Sequence, residues 1–153
     1  MLAAQGYQES GLDQSVKSKV GAVGIMQVMP QTAASPPVKI SDINTEENNI
    51  HAGVLLLHFL VNDYFNEAGL DPLNRTLFAI AAYNAGPAKI TRCRQVAKDM
   101  GYDSNKWFNN VEVPTAKLVG RETTQYVANI YKYYLAYRMA YRIGQQRAAG
   151  KRK

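Results

Sequence analysis

Cysteine is almost missing from this chain: Cys93 stands alone, so no disulfide can close within it. It falls in "KITRCRQVAK", a helix-like stretch without a partner for nucleophilic chemistry, and is expected to be an inert, partly buried thiol. Long apolar runs are missing too. The longest, "AGVLLLHFL" from Ala52 to Leu60, covers nine residues, whereas a bilayer span needs about 20. The start has no basic segment followed by an apolar core and a small-residue cleavage site. Any export signal is therefore expected upstream of Met1, in a segment cut away from this chain. No run alternates with the period of a strand over a convincing length. The two histidines, His51 and His58, lie seven apart without a third ligand, so no metal is expected and no cofactor is implied. No Ser/His/Asp or Cys/His signature emerges. After Glu122 there are no acids at all.

What remains is a globular composition. The 153 residues are 46% apolar and 20% charged, enough for one domain that buries roughly 70% of the surface of its unfolded chain. The net charge of +6 is not spread evenly. Residues 138–153 hold six of the 18 Lys and Arg and none of the 12 Asp and Glu, leaving the rest of the chain balanced. A domain over residues 1–143 is expected, followed by a basic, disordered tail over 144–153. Such a tail would attract an anionic polymer or surface weakly. The body has no basic face interleaved with aromatics, so no specific nucleic-acid partner is expected.

Helical periodicity dominates. Residues 1–11 read as a helix end stopped by Gly11, and "GAVGIMQVMPQTAAS" as a second helix that Pro30 kinks or ends. A long helix is expected from Glu46 to Ala68, capped by Asp42 or Asn44, with Ile50, Val54, Leu57 and Val61 on one side. Asp71-Pro72 opens another, closed by "NAGP", and Pro87 restarts a helix that runs to about Gly101. A loop holding Trp107 and a short piece around "VPTAKLVG" precede a final helix, from Thr123 to about Gln145. The fold class predicted is all-α.

Several polar residues interrupt the apolar pattern. Glu9 shares a helix side with Leu2 and Gly6, an unusual place for a charge. Gln27 sits in "GIMQVMP" between Met26 and Met29, and Tyr83-Asn84 end an apolar helix in "AIAAYNAGP". Glu122 and Tyr126 in "GRETTQYVANI" are four apart and share a helix face. One acid candidate, an amide, phenols and glycines permitting close approach make the inventory of a sugar site. Met26 and Met29 taken alone are more often core filling.

Taken together the motifs resemble the lytic transglycosylase domain of the soluble lytic transglycosylase type, glycoside hydrolase family 23, lysozyme-like in fold. The resemblance runs from about Ala3 to Arg142. It rests on "ES" at Glu9-Ser10, the stretch from Ser18 to Ala33, "AAYNAG" from Ala81 to Gly86, and "ETTQYV" from Glu122 to Val127. It implies that Glu9 is the single catalytic acid/base. It also implies that Ser18, Gln27, Met29, Tyr83, Asn84, Glu122 and Tyr126 line the sugar groove. Ile25 stands where that family usually has leucine.

Ordinary glycosidases place a second carboxylate across the bond. Here Asp13 and Glu122 are the other acids near the motifs, and sequence spacing gives neither a claim to that position. The resemblance implies a substrate-assisted lyase acting on peptidoglycan glycan strands, in the periplasm or cell envelope. Glu9 would protonate the bond between N-acetylmuramic acid and N-acetylglucosamine, and the muramoyl C6 hydroxyl would close onto C1 as a 1,6-anhydro ring. That role needs a raised pKa, with Leu2, Gly6, Met26 and Met29 as expected walls. A hydrolytic muramidase of goose-lysozyme type and a non-catalytic glycan-binding module remain the alternatives.

Overall fold

A computed structural model describes residues 1–150. Seven helices carry it: α1 (Leu2–Ser10), α2 (Pro30–Ala34), α3 (Glu46–Phe59), α4 (Pro72–Ala85), α5 (Pro87–Asp99), α6 (Glu112–Leu118) and α7 (Arg121–Gly150). Among the described residues β-structure is limited to isolated bridges, Lys17 with Val23 and Val23 with Val28.

The helix α4 is the axle. Six consecutive residues, Leu77 to Ala82, are buried, and a helix apolar all round must be covered on every side. It is surrounded by α3, α5, α7 and the turn Leu60–Tyr64. Asp71 caps it, accepting the Asn74 backbone N–H at 2.9 Å, with Pro72 in the first turn, where no donor is lost. The covering helices contribute stripes: Ile90, Cys93 and Ala97 from α5, and Thr123, Tyr126, Val127 and Ile130 from α7. The Cys93 thiol is buried in this core, and burial raises its pKa. Trp107 is buried, packed edge-on against Phe78 at 5.9 Å. Arg94 lies over the other side of this aromatic group, 5.0 Å from the Phe78 centroid, and pairs with Glu67 at 2.7 Å.

A second, smaller core gathers Val23, Ile25, Met26, Val28, Ala33, Val38, Ile43 and Ala52, and Tyr83 and Leu56 pack against both cores.

Four expectations are corrected. The stretch 21–35 is not a helix: residues 21–29 form turns, and helix begins only at Pro30. Gly21, Gly24 and Gln27 have φ of 92°, 76° and 47°, which no α-helix accommodates. The long helix ends early, loosening into a wider turn over Leu60–Tyr64. Its cap is Thr45, whose hydroxyl accepts the Asn48 N–H, while Asp42 closes a local turn with Asn44. Finally, α7 passes residue 143 and stays helical to Gly150, so 144–150 are not a disordered tail. Residues 151–153 of that expected tail lie outside the described residues.

Candidate active site

The last turn of α1 presents Glu9 and Ser10, and Gly11 (φ 71°) then turns the chain away from the helix. The Ser10 hydroxyl donates to the Ile25 carbonyl at 3.1 Å and accepts the Asp13 N–H at 3.1 Å. The helix end is thereby fastened to the loop that follows.

That loop is held by side-chain amides rather than by regular structure. Asn49, fully buried on α3, accepts the Met26 N–H at 2.8 Å and donates to the Val23 carbonyl at 2.7 Å. Gln14 accepts the Ile25 N–H at 3.1 Å and donates to the Ile43 carbonyl at 3.0 Å. Where secondary structure supplies no partners, buried backbone groups must find side chains. Space is equally tight. A Cβ on Gly24 would lie 2.4 Å from the Gln14 side chain, and one on Gly53 would lie 2.7 Å from Met26.

Gln27 closes this loop. Its side-chain N–H groups donate to the Gly24 carbonyl at 2.8 Å and the Val16 carbonyl at 3.1 Å. Both donors are occupied, so the amide can offer a ligand only its carbonyl oxygen. Ser18 accepts the Ala22 N–H at 2.9 Å and shapes the preceding turn.

Tyr126 from α7 donates its phenol hydrogen to Glu9 Oε1. Burial pushes the Glu9 carboxyl up from 4.5 to about 7, and the Tyr126 hydrogen bond pulls the other way. Tyr83 from α4 donates to the Met26 carbonyl at 2.8 Å. Burial and the Glu9 charge raise the pKa of both phenols, so each stays neutral and serves as a donor. Tyr83 also forms a wall, with Gln27, Met29, Thr32 and Leu56, of a cavity of about 270 Å³. A neighbouring cavity of about 480 Å³ shares Met29, Thr32 and Leu56 and extends to Pro36, Pro37 and Phe59. Glu9 does not line either cavity; Tyr83 is the link between the acid and this trough. A larger hollow, about 660 Å³, lies between the start of α1 and the later turns of α7, with Met1, Leu12, Tyr137 and Tyr141 among its walls. It contains none of the motif residues and no acid.

The predicted residues thus divide. Glu9 and Tyr126 touch, Gln27, Met29 and Tyr83 share a cavity, and Ser18 supports the same loop. Asn84 is exposed beyond Tyr83, where it accepts from the Thr123 hydroxyl at 2.8 Å and joins the ends of α4 and α7. Glu122 is exposed, and among the described residues its side chain makes no hydrogen bond, so none ties it to Glu9. The expected wall also needs revision. Gly6 and Met26 are buried, but Leu2 and Met29 are 40% and 39% exposed and do not shield the acid; Tyr126 is 6% exposed and does. Sequence reading missed Gln5, Gln14, Asn49 and Thr123; Gln5, a polar residue after Leu2, Ala3 and Ala4, carried a signal, whereas the other three stand beside polar neighbours in the sequence and carried none.

Asp13 is exposed and accepts from the Ser15 hydroxyl and N–H at 2.7 and 2.8 Å, which hold its pKa low. It is committed to a turn as a carboxylate. Among the described residues no cluster of His, Cys, Asp and Glu could hold a metal ion, and no helix is long and apolar enough to cross a membrane.

Comparisons with known proteins identify the family. The chain is 35% identical over 147 residues to the membrane-bound lytic murein transglycosylase F of Desulfosudis oleivorans, covering 88% of this chain and 32% of the relative. It is 32% identical over 146 residues to the protein of that name from Haemophilus influenzae strain PittGG, covering 87% and 30%. With that of Pseudomonas fluorescens strain Pf-5 it shares 30% over 148 residues, covering 88% and 29%. The chain therefore spans about a third of the length of the curated relatives it matches. Residues 1–108 match the Transglycosylase SLT domain. With that match across most of a helical body that carries one shielded acid, the chain belongs to the SLT transglycosylase domain family.

Proposed function

We propose that this domain is a peptidoglycan lytic transglycosylase, cleaving the β-1,4 bond between N-acetylmuramic acid and N-acetylglucosamine. The observation that carries the reading is the lone acid. Glu9 is held near half-protonation at neutral pH, and the other acids near the motifs are exposed. A catalytic acid works best with a pKa near the working pH. Ordinary retaining and inverting hydrolases place a second carboxylate a defined distance away. With none beside Glu9, the reading is that the same group serves twice.

Protonated Glu9 donates its hydrogen to the glycosidic oxygen as the bond to muramoyl C1 breaks. The substrate's own acetamido group stabilises the cationic centre. The Glu9 carboxylate then accepts the proton of the muramoyl C6 hydroxyl while its oxygen bonds to C1. The 1,6-anhydro ring closes, Glu9 is restored and no water is consumed. Gln27, Met29 and Tyr83 line the cavity that would receive the sugar, with Ser18, Asn84, Glu122 and Tyr126 completing the proposed set of substrate-contacting and supporting residues.

The relatives' names describe membrane-bound enzymes acting on murein, which supports placing this domain in the cell envelope. We take residues 1–143 as the catalytic unit. The later part of α7 carries Arg138, Arg142 and Arg147, and Lys151, Arg152 and Lys153 follow in the sequence without an acid; weak attraction to anionic envelope polymers follows from that charge. The deciding experiment is mass spectrometry of purified sacculi digested by the protein and by Glu9→Gln. Anhydro-muropeptides from the first and none from the second are expected. Reducing ends would make it a hydrolase, and cleavage by Glu9→Gln would remove the acid from its role.

A further inference from the structure

Behind Glu9 lies a side chain that this reaction does not yet employ. Gln5 sits one turn earlier on α1, on the face that Glu9 shares, and is fully buried. A buried amide without complete pairing costs about 1–3 kcal/mol for each unpaired group, and an apolar residue would fill the same space at no such cost. Gln5 carries that burden visibly. Its Nε2 donates to the Tyr126 phenol oxygen at 3.4 Å, while its Oε1 is buried without a partner.

The arrangement has a direction. A phenol oxygen that accepts from Gln5 turns its own hydrogen elsewhere, and the acceptor it meets is Glu9 Oε1. A neutral carboxyl carries its proton on one oxygen only. With Oε1 already accepting from the phenol, that oxygen is the carbonyl of the acid, and the transferable proton belongs on Oε2. Without the Gln5 N–H, the phenol can rotate and accept from Glu9 instead, which draws the proton to Oε1 and into the protein.

We propose that Gln5 is a positioning residue: by donating to Tyr126 it aims the phenol hydrogen at Glu9 Oε1 and keeps the catalytic proton on Oε2. The inference rests on Glu9 being the acid of the reaction proposed above. The ionisable groups acting on Glu9 are Tyr126 from α7 and Tyr83 from α4, both neutral phenols, so neither can substitute a charge for this orientation.

The test is Gln5→Met, with Gln5→Leu beside it, in the intact chain. Both remove the donor and the orphan oxygen together. Each variant is expected to melt at the wild-type temperature or above, and to bind sacculi normally. Muropeptide release at saturating sacculi should fall several-fold. A phenol that has lost its incoming donor is a weaker donor to the Glu9 carboxylate. The high-pH limb of activity should then move upward by about half a pH unit, and the Glu9 carboxyl titration followed by carbon NMR should move with it. A lowered melting temperature with an unchanged pH limb would mean that the amide only packs, and failure of both variants to fold would mean the same; either overturns the proposal. Cleavage by Glu9→Gln overturns the underlying assignment instead, so the two failures are distinguishable.

Discussion

Replacing Glu9 by glutamine should stabilise the protein at alkaline pH while abolishing cleavage. The Glu9 carboxyl titrates near 4.5 when unfolded and at about 7 when folded, chiefly because burial penalises its charge. Below pH 4.5 the acid is neutral in both states and contributes nothing to the balance. As pH rises from 4.5 to 7 the unfolded chain gives up its proton while folded Glu9 keeps it, so stability falls across that window and levels off above it, where the folded protein carries the shielded charge. One pH unit corresponds to about 1.4 kcal/mol, so the full difference is about 3 kcal/mol. Partial exposure of Glu9 lets water screen part of it, leaving about 2 kcal/mol. The glutamine variant keeps an oxygen to accept from Tyr126 but never ionises. At pH 8 it should therefore melt about 6 °C above wild type, at the few degrees per kcal/mol expected for a chain of this size. At pH 4 the two should coincide. Thermal denaturation followed by circular dichroism at both pH values measures this. An equal difference at pH 4 and pH 8, or a variant less stable at pH 8, would refute the claim that burial of Glu9 sets its titration.

Tyr126→Phe removes the hydrogen bond that opposes burial at Glu9, so the high-pH limb of activity should move upward by about one unit; an unmoved limb would contradict the contact. Gly24→Ala should cost at least about 3 kcal/mol in thermal unfolding, because its Cβ meets Gln14 and Asn49 within 2.6 Å at a φ of 76°. Gly86→Ala, with φ 93° but open space, should cost only about 1 kcal/mol, and equal losses would mean that backbone strain alone decides. Asn49→Ala leaves the Met26 N–H unpaired and strips the Val23 carbonyl of one of its two donors, the Val28 N–H remaining, and should lower stability by about 2 kcal/mol and activity with it, read from melting temperature and muropeptide release.

Much of the helical frame was legible because its signals are local. Asp71-Pro72 and Pro87 mark helix starts by their own backbone chemistry, and Gly11 marks an end. The loop over 21–29 was misread for the converse reason. Its Ile25, Met26 and Val28 are buried and mimic a helical stripe, while the features that forbid a helix are the positive φ at Gly21, Gly24 and Gln27. A glutamine in the left-handed region gives no advance notice. What holds it there comes from Asn49, 23 residues beyond Met26, and from Gln14, whose side chain reaches Ile43, 29 residues on. The acid itself was visible as a charge on an apolar side, but its shield was not. Leu2, Gly6, Met26 and Met29 were the expected walls, whereas Tyr126 arrives from 117 residues away. Trp107 likewise read as a loop residue and proved to be core, since a buried aromatic in irregular backbone has no periodic signature.

The contact between Gly53 and Met26 bears on modularity. The motif loop has the length of a portable cassette, yet its fit depends on a helix that lacks a side chain at one position and supplies an amide at another. A graft of residues 14–29 alone onto a foreign helical scaffold would lose both its socket and its tether. A unit from the end of α1 through Gly53 keeps both, while the Tyr83 bond to the Met26 carbonyl must still come from α4, so chimeras of this domain should be cut outside those bounds.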